Sequence, residues 1–92
     1  MRLQDVYECV INEIEKNDAV VLKDTLYSTF IFKNFSQFVS DMIVEAFGGK
    51  IIETFDGKTF NRVIEVYPAC YADCLILDQF DRRYMLKNYG RD

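Results

Sequence analysis

Residues 34–68, NFSQFVSDMIVEAFGGKIIETFDGKTFNRVIEVYP, decide how this chain folds. The stretch opens on a cap, runs on as an apolar stripe of helical period, stops at two glycines, and then alternates around an Asp-Gly turn signal. Asn34 can accept a backbone amide through its side chain, and Gln37 three residues later completes a capping-box pattern. The spacing predicts a helix over 35–47 that buries Phe38, Val39, Met42, Ile43, Ala46 and Phe47 and leaves Gln37, Ser40, Asp41 and Glu45 in water. Gly48-Gly49 offers the left-handed conformation that closes a helix.

Residues 50–55 and 58–67 then read as a hairpin that Pro68, with no amide donor, brings to an end. Two registers compete. A two-residue turn on Asp56-Gly57 places Ile52 opposite Asn61 and Glu53 opposite Phe60. A type I turn with Gly57 as the left-handed bulge residue pairs Ile52 with Phe60 and Glu53 with Thr59. The second is preferred, because apolar then meets apolar across the ladder.

Outward from this unit, Leu3, Val6, Tyr7, Val10, Ile11 and Ile14 share one side of a helical wheel and Asp5, Glu8, Asn12, Glu15 and Lys16 the other. They predict a first helix with a stop at Asn17-Asp18. Residues 19–22 and 26–32 are β-branched and aromatic and read as two strands around a short turn at 23–25. In the last quarter, a helix over 70–86 would scatter its apolar residues around most of the circumference. Two strands, 74–77 and 83–87, need only a turn at 78–81 and are preferred. The expected architecture is α+β: two helices packed on one face of a four- to six-stranded antiparallel sheet, in the order α-β-β-α-β-β-β-β. With no internal repeat or linker-like segment, residues 1–92 are expected to form a single domain.

Half of the 92 residues are hydrophobic and 28% are charged, the balance of a folded globule. A chain of this size buries only about 60 to 65% of the surface its unfolded form exposes, which leaves little room for a deep pocket. The net charge of −4 comes wholly from the first half. There, four bases face eight acids, whereas residues 50–92 hold seven of each and gather Arg82, Arg83, Lys87 and Arg91 near the C-terminus. No apolar run is long enough to span a bilayer, and Met1-Arg2-Leu3 leads into an acidic helix rather than a signal sequence, so a cytoplasmic location is expected, the host's if the chain is viral. Cys9, Cys70 and Cys74 are odd in number and sparse, which fits free thiols in a reducing compartment.

The candidate chemistry is thin. Histidine is absent, which removes Ser-His and Cys-His nucleophile pairs and His metal ligands. Cys70 and Cys74 are four apart, but a zinc site wants four ligands and only Cys9 could join them; buried thiols packing as small hydrophobes are the simpler account. Glu53, Asp56 and Glu65 cluster near the hairpin without the cleft that acid–base work requires. Gly48-Gly49-Lys50 follows a helix, whereas phosphate-cradling glycines precede one. No catalytic residue, metal or cofactor is therefore assigned.

Two surfaces remain. The acidic first helix, with Asp5, Glu8, Glu13 and Glu15, can dock on a basic patch of another protein, including one that normally holds nucleic acid. Its competitor is a nucleic-acid surface of Lys50, Lys58, Phe60 and Arg62 on the hairpin with Arg82, Arg83 and Lys87 from the tail, where bases interleave with rings. The negative net charge weighs against the second, since dedicated binders are usually basic. The expected function is a non-enzymatic protein-binding module acting through acidic and aromatic surface. One concrete form is a virus- or mobile-element-encoded inhibitor of a host nucleic-acid-handling complex. Open sheet edges and the ring content also favour a homodimer.

Overall fold

A computed structural model describes residues 2–26, 28–55 and 57–90. Tyr27, placed above in the second strand, Asp56, read as the turn residue, and Arg91, counted with the basic tail, lie outside them. The elements are α1 (Leu3–Lys16), β1 (Val20–Asp24), β2 (Thr29–Lys33), α2 (Gln37–Phe47), β3 (Lys50–Phe55), β4 (Phe60–Val66) and α3 (Tyr71–Tyr89). The strands form one antiparallel sheet in the order β1-β2-β4-β3. Because β4 pairs with both β2 and β3, those two run parallel with β4 between them, and α2 is the crossover that carries the chain past it.

The α+β class and the antiparallel sheet stand as expected, with three helices and four strands among the described residues. The two C-terminal strands expected over 74–77 and 83–87 do not form; α3 occupies their place. Apolar side chains circle α3 because it has two apolar faces. Leu77 and Phe80 are buried on one, and Tyr71, Leu75, Met85, Leu86 and Tyr89 are exposed on the other. No Gly or Pro interrupts 71–89, Asp73 and Lys87 suit the two ends of the helix dipole, and Gly90 closes it at φ 71°.

The hairpin register also differs from both alternatives. Ile52 pairs with Val63, Ile51 with Ile64 and Glu53 with Arg62, so the strands close on a four-residue connection, 56–59. Apolar does meet apolar across this ladder, as the preference assumed, but through a longer loop that also sets Glu53 and Arg62 into an ion pair at 3.3 Å.

At α2 the cap is Ser36 rather than Asn34. Ser36 Oγ accepts the Val39 amide at 3.2 Å. Asn34 is left-handed at φ 64°, and its Nδ2 donates to the Asp18 carbonyl. The diglycine has two jobs. Gly48, at φ 70°, is the left-handed cap; a Cβ on Gly49 would lie 2.8 Å from Ile64 Cγ2, so only glycine lets the chain pass this close to β4.

The helices cover the sheet face that carries Val21, Phe30, Phe32, Ile64 and Val66, and the core lies between. Phe80 is its hub. Its ring stacks on Tyr7 at 5.6 Å and meets Phe32 and Phe47 edge-on at 6.2 Å each. Among the described residues no helix is long and apolar enough to cross a membrane.

Candidate protein-interaction site

Helices α1 and α2 run in opposite directions. Val6 shares a concavity with Glu45 and Ala46 at one end, and Glu13 bonds to Ser36 at the other. Phe38 is exposed rather than buried as the helical stripe implied, with 69% of its surface in contact with solvent. It sits at the margin of the stripe, and the position on the opposite margin is taken by Ser40, whose hydroxyl turns back to the Phe35 carbonyl. Together with Glu8, Cys9, Asn12, Glu13 and Val39, Phe38 lines an open groove of about 320 Å³.

The four acids assigned to α1 separate into three roles. Asp5 and Glu8 face solvent, and Glu8 accepts a hydrogen bond from Gln4 at 2.8 Å. Glu13 is buried: it takes the Ser36 amide at 2.8 Å and the Ser36 hydroxyl at 2.6 Å. Its negative charge therefore sits at the N-terminus of α2, where the helix dipole favours it. Glu15 pairs with Arg83 of α3. What the α1 acids lose to internal contacts, α2 restores, for Asp41 and Glu45 lie exposed on the same helix face as Phe38. The α1–α2 pair thus exposes Asp5, Glu8, Asp41 and Glu45 together with one bare ring, with Arg2 and Lys16 at the ends of α1.

The basic set is dispersed. Lys50 shares a sheet face with Ile52, while Arg62 falls on the opposite face and bonds Gln37 and Glu53. Phe60 pairs through its backbone with Phe55, and Lys58 lies in the connecting loop. Arg83 is held by Glu15, and that hydrogen bond raises its pKa further. Lys87 reaches across to α1 and donates to the Ile14 and Asn17 carbonyls at 2.9 and 3.0 Å, closing the C-terminus of that helix. Arg82 is exposed and makes no ion pair among the described residues.

A second concavity, of about 250 Å³, is lined by Lys23, Phe30, Pro68, Cys74 and Asp78 among others. Lys23 donates to Asp78 at 2.7 Å, and this bond holds the ammonium above the ordinary lysine range. Burial pushes the neighbouring Asp81 carboxyl up. Cys70 is exposed at the start of α3 rather than buried, and Cys9 and Cys74 are half-buried; all three are free thiols. Among the described residues no three Cys, Asp or Glu side chains gather as a metal site would require.

Sequence reasoning missed two features here, the exposed ring and the two-sided character of α3, and although it placed Asp41 and Glu45 in water it did not join them to the acids of α1. The ring was within reach, since Phe38, Asp41 and Glu45 recur at helical spacing on one side of α2. No family model, curated protein or solved structure matches this chain.

Proposed function

We propose that the protein is a non-enzymatic binding module that docks on the basic surface of another protein in the cytoplasm through the outer face of α1 and α2. The observation that carries this reading is the exposed Phe38 ring in an open groove that Glu8 also lines, on a helix pair whose Asp5, Asp41 and Glu45 are exposed as well. A ring supplies apolar contact area at small cost in side-chain entropy, and surrounding acids steer a cationic partner and exclude an anionic one. A surface that normally holds nucleic acid has the matching character, basic with apolar stems, and the module would act by occupying it.

The test is calorimetric titration with a synthetic peptide alternating arginine and leucine, at two salt concentrations. The expected result is binding that weakens with salt, about tenfold with Phe38→Ala, and further with Glu8→Lys plus Glu45→Lys. Binding that ignores all three substitutions, or no binding at low salt, overturns the reading. Capture of a DNA duplex that Lys50→Glu abolishes would replace it with the nucleic-acid alternative.

A further inference from the structure

The outward residues of α3 fall at alternating spacings of four and three: Tyr71, Leu75, Asp78, Arg82, Met85 and Tyr89. This is the spacing of a helix-pairing seam. It runs about 27 Å at about 1.5 Å per residue. The side chains are presented to solvent: Tyr71 is 77% exposed, Tyr89 66%, Leu75 47% and Met85 45%. An apolar stripe of this kind on a small folded domain marks a contact surface.

The chemistry of the seam is self-complementary about position 80. Read from either end it gives a tyrosine, then a flexible aliphatic or thioether chain, then a charge, and the two charges are opposite. Laid antiparallel on a second copy, Tyr71 meets Tyr89, Leu75 meets Met85, and Asp78 meets Arg82, each pair occurring twice about a two-fold axis. A parallel alignment would instead set Asp78 on Asp78 and Arg82 on Arg82.

The charges are in a state to make these bonds. Asp78 accepts from Lys23 through Oδ1 and keeps a side chain 45% exposed, while Arg82 makes no ion pair among the described residues. Lys23 also offsets Asp81, the other acid near the axis. We propose that the outward face of α3 is the two-fold interface of a homodimer in which the two α3 helices pair antiparallel. A single helix pair is a small interface beside the standard ones, which bury about 800 Å² per partner, so the dimer is expected to be weak and to depend on concentration.

Sedimentation velocity across a dilution series, with circular dichroism as the check on folding, tests this on the full chain. The wild type is expected to pass from monomer to dimer, and Leu75→Glu, an exposed position, to remain monomeric. Asp78→Arg and Arg82→Asp are each expected to lose the dimer through like-charge contact. Mixed together, the two variants should recover it, because every cross-pair is then opposite in sign. A monomeric wild type, a Leu75→Glu chain that still dimerises, or folded charge variants that fail to combine would each overturn the proposal. None of these variants touches the α1–α2 groove, so failure here leaves the docking reading to its own test.

Discussion

Helices α2 and α3 lie over the same face of the same sheet, yet they relate to solvent differently. In α2 the apolar side chains converge on the core, with Val39, Met42, Ile43 and Phe47 buried and a single ring, Phe38, left outside. In α3 only Leu77 and Phe80 are fully buried, and more large apolar side chains face outward than inward. The difference separates two kinds of apolar residue. One kind is buried and needed to fold the chain; the other lies on an exposed helix face, where the proposed pairing of two α3 helices would cover it.

The comparison makes its largest prediction at Phe80. Replacing this hub with alanine removes contacts to Tyr7, Phe32 and Phe47 and should cost about 3–5 kcal/mol in urea unfolding, close to the whole stability of a small domain. A cost under 1 kcal/mol would mean that the inner face of α3 is not what holds it down.

Next comes the anchoring of α2. Glu13→Ala leaves the Ser36 amide and hydroxyl without their acceptor and should cost about 1–3 kcal/mol, with the loss read as faster amide exchange in the first turn of α2. Gly49→Ala forces a methyl against Ile64 and should cost a similar amount, about 1–3 kcal/mol. Gly48→Ala is the control at the same junction, where the left-handed φ is strained but nothing crowds the new Cβ.

Asp81 gives a smaller effect with a defined pH window. Burial raises its folded pKa above the unfolded value of 3.8, so the folded chain binds this proton more readily than the unfolded chain does. Its charge therefore costs stability above the folded pKa, and the cost fades as pH falls and is gone below 3.8. Asp81→Asn should raise the neutral-pH unfolding free energy slightly, by under about 0.5 kcal/mol, with the gain disappearing in acid. A gain that persists below pH 3.8 would assign it to packing instead.

The smallest effect on the isolated chain belongs to the outer face of α3. Leu75→Glu should change the stability of dilute monomer by no more than about 0.5 kcal/mol, in contrast to Phe80 on the opposite face of the same helix. That contrast is the sharpest form of the comparison between folding and surplus apolar residues.

The same contrast explains what could be read before the fold was known. α1, α2 and the antiparallel pairing of β1 with β2 and of β3 with β4 were legible, because each has a single apolar face whose period is 3.6 or 2. α3 was not, because Leu75 and Leu86 break the one-sided pattern that Leu77 and Phe80 would have made alone. The hairpin register was misread for a local reason: the Asp-Gly signal favours a tight turn, but the strands align Ile51 with Ile64 on the core face and close on a longer loop. At the candidate site, Asp5 and Glu8 were legible as exposed helix acids. The roles of Glu13 and Glu15 were not, since Ser36 and Arg83 reach them from 23 and 68 residues away.

The most direct test of the two-faced account of α3 is an amide chemical-shift dilution series on the unmodified chain. The account predicts concentration-dependent shifts that share one midpoint and centre on Tyr71, Leu75, Asp78, Arg82, Met85 and Tyr89, while the edge strand β3 holds still. Shifts that follow an edge strand instead, or a spectrum that does not change with concentration, would contradict it.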